Sequence, residues 1–234
     1  MDLRKAKVLV TGGSSGIGYA TAQLLRDRGA AVAICGRNAE AVESAANELG
    51  ALGIVADVSV ENDVKRMVAK VIADFAGYDV LINNAGWGTW APLVETTVED
   101  FTRVWQTNVL GAMLAARESA KHFVASNSGN IVNIVSTAGQ RGFATGTTYV
   151  ATKFALAGMT ECWRAELRKS NVRVMQVNPS EVQTNFFETA GAPRTTNDTK
   201  LFSEDIAHTI CSMLAMEDRG FVTDATVWAT NPRD

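Results

Sequence analysis

Tyr149 and Lys153 stand four residues apart on a predicted helix, so their side chains share one face and can both reach a group lying across it. A phenol titrates near about 10 and is a poor proton shuttle at neutral pH, but an adjacent ammonium favours phenolate and lowers that value. The pair is therefore a candidate acid/base device, although the same spacing also occurs on ordinary exposed helices. A second constellation is Thr11-Gly12-Gly13-Ser14-Ser15-Gly16-Ile17-Gly18, between an apolar run and an amphipathic segment over Tyr19–Arg28. Glycines there let the backbone turn sharply and approach a pyrophosphate, whose charge meets free N–H groups and the positive end of a helix. That context points to a dinucleotide site at Gly12, Ser14, Ser15, Gly16, Ile17 and Gly18. No metal site is expected: Cys35, Cys162 and Cys211 are widely spaced, and His122 and His208 are the only histidines.

Such residues need a scaffold to bring them together. Apolar runs of strand length alternate with helix-period segments along the chain, the pattern of parallel βαβ units. Strands are predicted near Lys7–Thr11, Ala31–Cys35, Gly53–Asp57, Asp79–Asn83, Asn130–Ser136, Val172–Asn178 and Gly220–Val227. Most are continuous Val/Ile/Leu runs, as expected for strands covered on both faces. The fold class is thus α/β, a three-layer Rossmann-type doubly wound sheet of seven mainly parallel strands, in one domain over residues 1–234. Gly29 and Gly50 read as helix stops, and Asn38 as a cap with Glu40 in the first turn. The longest aperiodic stretch, with Gly191 and Pro193, predicts a substrate lid over about 185–202.

The 234 residues are 47% hydrophobic and 20% charged, with net charge −3, which excludes disorder and leaves no basic surplus for a polyanion. Neither nucleic acid nor membrane is an expected partner; a small molecule is. No stretch approaches the ~18 apolar residues of a span, and no signal peptide or anchor is read at the N-terminus. Unpaired cysteines fit a reducing cytoplasm.

The spacing Thr-Gly-x-x-x-Gly-Ile-Gly differs from the plain Gly-x-Gly-x-x-Gly. With Asn83-Asn84-Ala85-Gly86, Asn108, Ser136 and Tyr149-x-x-x-Lys153 following in order, the chain resembles the single-domain branch of the short-chain dehydrogenase/reductase family over nearly its whole length. Within that branch it is similar to 3-oxoacyl-(acyl-carrier-protein) reductases. The resemblance implies that Ser136 donates to a substrate carbonyl oxygen, which Tyr149 protonates. Lys153 would also bond the nicotinamide ribose, and Asn108 would hold a water beneath Lys153 in a proton relay. Asp57 and Val58 take the place of an adenine-contacting pair. Asn84, Ala85 and Gly86 belong to a partly structural segment approaching the cofactor ribose, and Thr184, in the turn with Pro179 and Val182, lies near the carboxamide. Ser180 stands where the family usually has Gly, and the C-terminus lacks a glycine-rich tail.

Cofactor choice turns on Cys35-Gly36-Arg37 at the end of the second strand, where a guanidinium would grip a ribose 2′-phosphate. NADP(H) is the preferred expectation, with NAD(H) open if Glu40 serves the ribose instead. The leading activity is NADPH-dependent reduction of a ketone, a 3-oxoacyl thioester or related carbonyl, possibly on acyl carrier or CoA. Its alternatives are a sugar or steroid alcohol dehydrogenase and, in another class, a non-catalytic dinucleotide sensor. Trp87, Trp90, Gln140-Arg141-Gly142-Phe143 and Phe186-Phe187 suggest an apolar pocket, though Trp90 and Phe187 could equally pack under loops. Arg141 reads either as a partner for an anionic group or as a solvated loop residue. Family habit, with Trp105 and Trp163 on apolar helices, favours a homodimer or homotetramer.

Overall fold

Continuous apolar runs must be covered on both faces, and the computed structural model, which describes residues 1–184, 186 and 199–231, shows how. The main strands are β1 (Lys7–Thr11), β2 (Ala31–Gly36), β3 (Leu52–Val55), β4 (Val80–Asn83), β5 (Gly129–Ile134), β6 (Val172–Pro179) and β9 (Asp224–Val227). They form one sheet in the order β3-β2-β1-β4-β5-β6-β9, and every pairing is parallel. The order reverses between β1 and β4, which opens a crevice at the carboxyl ends of the strands.

The helices α1 (Gly16–Asp27) and α2 (Ala39–Leu49), with α7 (Ser203–Leu214), cover one face. Leu25, Leu49, Ile206 and Ile210 close there over Val10 and Ile34. On the other face α3 (Glu61–Phe75) and α5 (Ala112–Ser126) bury Met67, Val71 and Phe123 against Leu9, Leu81 and Ile131. The helix α6 (Thr147–Leu167) follows β5 and brings Trp163 against that second core. Trp105 lies instead with Phe101 on an exposed face of α4 (Val98–Trp105), the rings stacked at 6.1 Å.

Some details differ from the sequence expectation, among them β5, which ends at Ile134 rather than Ser136. β3 ends at Val55 because the Asp57 carboxylate accepts from the N–H and hydroxyl of Ser59, turning the chain. β9 begins at Asp224, where its pairing with Gln176 of β6 starts. Between α4 and α5 the helix takes a π-helical turn over Gln106–Gly111, a feature common at functional sites. Of the expected lid, Leu201–Phe202 forms a short strand β8 against β7 (Val182–Gln183); residues 185 and 187–198, including Phe187, lie outside the described residues. Among the described residues no helix is long and apolar enough to cross a membrane.

Candidate active site

The glycine turn is held by the segment after β4. Asn84 donates from Nδ2 to the carbonyls of Thr11 and Gly12, both at 3.0 Å, while Thr11 Oγ1 accepts from the N–H groups of Asn84 and Ala85. Gly12 adopts φ +63°, and a Cβ there would lie 2.9 Å from Ala85 Cα; a Cβ on Gly18 would overlap the Gly12 carbonyl oxygen. Two backbones thus approach as closely as the absence of side chains permits. Helix α1 starts at Gly16 with no side chain capping it, so its first N–H groups are free for an anion. Ser14, Ser15, Gly16 and Ile17 line a cavity of about 1140 Å³ at the carboxyl ends of the strands, and Asn84, Ala85 and Gly86 line it from the β4 side. Arg37 lines the same cavity, exposed and with no ion pair to a described residue, whereas Glu40 does not. A pyrophosphate-bearing dinucleotide fits this backbone cradle.

Ser136, Tyr149 and Lys153 share that cavity. Ser136 stands two residues past the end of β5, and its hydroxyl accepts from the Ala138 N–H at 3.1 Å and donates to the Pro179 carbonyl at 3.3 Å. Tyr149 and Lys153 lie on the first turns of α6, with Lys153 Nζ 5.5 Å from the phenol ring centroid and donating to the Ile134 carbonyl at 2.8 Å. The i,i+4 spacing does bring them together. The direction of tuning does not follow from it: burial pushes the Tyr149 phenol up to about 12, with the Ser136 hydroxyl pulling weakly the other way. Burial likewise lowers the Lys153 ammonium to about 8. Desolvation outweighs the expected ammonium effect, because the charged form of each group loses water that the other does not replace. At neutral pH the phenol keeps its proton, and an acid is what the cluster offers.

Asn108 sits in the π turn, fully committed to protein. It donates to the Trp87 carbonyl at 2.8 Å and to Thr152 Oγ1 at 3.0 Å, and its Oδ1 accepts from the Trp87 N–H at 3.0 Å. Thr152, which the sequence reading missed, donates in turn to the Tyr149 carbonyl at 2.7 Å, so Asn108 is tied to the helix turn carrying the phenol. A threonine immediately before Lys153, within the Tyr-x-x-x-Lys spacing, was the available signal. Trp90 stacks on Tyr149 at 5.7 Å and Phe186 meets the same ring edge-on at 5.5 Å. These aromatic walls, with Trp87 and Phe143 in the lining, make the pocket largely apolar near the phenol.

Pro179, Val182 and Thr184 also line the cavity, and Thr184 faces Gly16. Ser180 keeps negative φ and donates its N–H to the Val227 carbonyl at 2.9 Å, so no glycine is required there. Asp57 and Val58 do not line the cavity. Oδ1 of Asp57 accepts from the N–H and hydroxyl of Ser59, and Val58 packs under Gly111. Asn83 is structural, donating to Asn133 and the Ala112 carbonyl. Among the described residues no cluster could hold a metal ion.

A family model described as short chain dehydrogenase matches residues 6–195. A Bacillus subtilis protein named as an uncharacterized oxidoreductase is 36% identical over 201 residues, 81% of this chain, but the match spans only 56% of that relative's length. The 3-oxoacyl-[acyl-carrier-protein] reductase of Bos taurus is 36% identical over 177 residues, 75% of each chain. Among solved structures, an alcohol dehydrogenase of Thermococcus sibiricus complexed with 5-hydroxy-NADP superposes with a TM-score of 0.89 at 26% identity, covering 98% of both chains.

Proposed function

This chain belongs to the short-chain dehydrogenase family, and from that premise we propose that it uses NADPH to reduce a ketone, a 3-oxoacyl thioester or related carbonyl, to a secondary alcohol. The observation that carries the reading is that Ser136, Tyr149 and Lys153 line the same cavity as the glycine turn, which sets a proton donor beside the place a dinucleotide would take. The glycine turn and the α1 N-terminus hold the cofactor pyrophosphate and Arg37 its 2′-phosphate; when bound, the cofactor supplies a hydride to the carbonyl carbon. Ser136 donates a hydrogen bond to the carbonyl oxygen as negative charge grows there, and Tyr149 delivers the proton. Lys153, still charged at neutral pH, stabilises the phenolate left behind. Asn108 and Thr152 are positioning residues that fix the helix turn under the phenol.

The direct test follows NADPH absorbance over a panel of ketones that includes an acetoacetyl thioester. Oxidation with at least one β-oxo compound is expected, and silence across the panel sinks the proposal. The cofactor assignment has its own check. Arg37→Asp removes charged hydrogen bonds and adds repulsion, so the NADPH-to-NADH ratio of kcat/KM should fall by about 100-fold. An unaltered ratio would show that the 2′-phosphate is held elsewhere.

A further inference from the structure

The cavity follows the carboxyl ends of the strands from Arg37, after β2, to Trp228, after β9. Its charged lining is Arg37, Arg103, Arg141, Lys153 and Lys200 against Glu181, in a chain of net charge −3. Glu181 is already paired with Lys200 at 2.8 Å. The cavity is thus strongly cationic in an acidic protein, so position rather than total charge decides which cation serves which ligand group.

Arg141 is a cation to which the nucleotide reading gives no role, as is Arg103, which lies over the Trp87 ring. Its guanidinium lies 4.8 Å from the Trp228 ring centroid, and no described carboxylate pairs with it. The loop under it is tied down, with the Arg141 N–H donating to the Thr137 carbonyl at 3.2 Å and Gln140 Nε2 to Thr226 Oγ1 at 3.2 Å. The sheet order puts β5, which ends two residues before Ser136, between the two ends of the cavity. Arg37 follows β2, three strand spacings to one side of β5, while Arg141 sits on Trp228 after β9, two spacings to the other side, which separates the ends by ~24 Å along the sheet edge. The two guanidinium groups therefore serve different ligand groups.

We propose that the substrate carries an anionic group, carboxylate or phosphate, which Arg141 grips from its seat on the Trp228 indole. The indole face holds the planar fork in place and leaves its N–H edges free for paired charged hydrogen bonds. The proposal rests on the ketone-reductase reading and names the class of ketone. A carboxylate would belong to an oxo acid and sit near the reacting carbonyl; a phosphate would belong to a pantetheine-type arm.

The test compares 3-oxobutanoate, its methyl ester and acetoacetyl-CoA on the wild-type protein, Arg141→Gln and Arg141→Lys. At least one charged substrate should exceed the ester in kcat/KM by about 10- to 100-fold, the worth of a charged hydrogen-bonded pair. That ratio should collapse in Arg141→Gln and be better kept in Arg141→Lys. Collapse for 3-oxobutanoate identifies a carboxylate, and collapse for the CoA thioester alone a phosphate. Equal rates for acid, thioester and ester, or ratios indifferent to Arg141→Gln, would overturn the proposal. Should the wild type reduce none of the three, the reductase reading fails separately. Tryptophan fluorescence titrated with 3-oxobutanoate and with CoA then decides the subsite: saturable quenching lost in Arg141→Gln supports it, and no saturable quenching by either overturns it.

Discussion

Replacing Tyr149 with Phe is expected to lower NADPH-dependent ketone reduction by about 10²- to 10⁴-fold, the usual contribution of a positioned general acid. NADPH affinity should stay within a few-fold of wild type, because the glycine turn, Arg37 and Lys153 remain. The fold should survive as well. Phe preserves the ring stacked on Trp90 and met edge-on by Phe186, and loses only the hydroxyl and its hydrogen bond with Ser136. Undiminished turnover in this variant would remove the proton-donor assignment. A pH profile of the wild type adds an independent reading. Tyr149 is pushed up to about 12 and Lys153 lowered to about 8, so Lys153 is the group that changes charge first as pH rises. The protonated lysine is the active form, and reduction should be fastest below about pH 8 and decline above it. A rate flat from pH 7 to 10 would show that the ammonium charge does not matter.

Gly18→Ala should be the most damaging change to cofactor binding. The added Cβ would overlap the Gly12 carbonyl oxygen and sit 2.5 Å from Asn84 Nδ2, the amide that joins the turn to the segment after β4. Neither neighbour is the free end of a flexible side chain, so the turn itself must open. Overpacking of this kind costs about 1–3 kcal/mol of stability, and a displaced anion cradle should weaken NADPH binding by about 100-fold. Gly158→Ala is the control, since a Cβ there meets nothing within 4 Å. It should leave affinity unchanged and, in a helix interior, raise stability by ~0.5–1 kcal/mol. Titration of each variant with NADPH and thermal melting read both effects. Wild-type affinity in Gly18→Ala would mean the close approach of the two backbones is not what shapes the site.

Much of this site is readable before any coordinates, and the parts that are not share a cause. The glycine turn announces itself because a tight turn between strand and helix is a local event, encoded in consecutive residues from Thr11 to Gly18. The same locality makes Asn38 legible as a cap, and its side chain does accept from the Ala41 N–H. Asp57 shows a local bond of another kind: its position matches an adenine-contacting pair of the family, and a serine two residues on also donates to its carboxylate. Asn108 appears as a polar residue in a helix, while the π turn that aims its amide at Trp87 and Thr152 depends on packing between segments far apart in the chain.

Residue spacing and apolar periodicity were enough to establish the order of strands and helices, the glycine turn, and the meeting of Tyr149 with Lys153, since each depends on neighbours within a helical turn or one strand. The sign of the phenol shift, the link from Asn108 through Thr152, and the seating of Arg141 on Trp228 emerged from folding alone. Desolvation and ring stacking are sums over whatever surrounds a group, and around Tyr149 and Arg141 those surroundings come from distant stretches of chain.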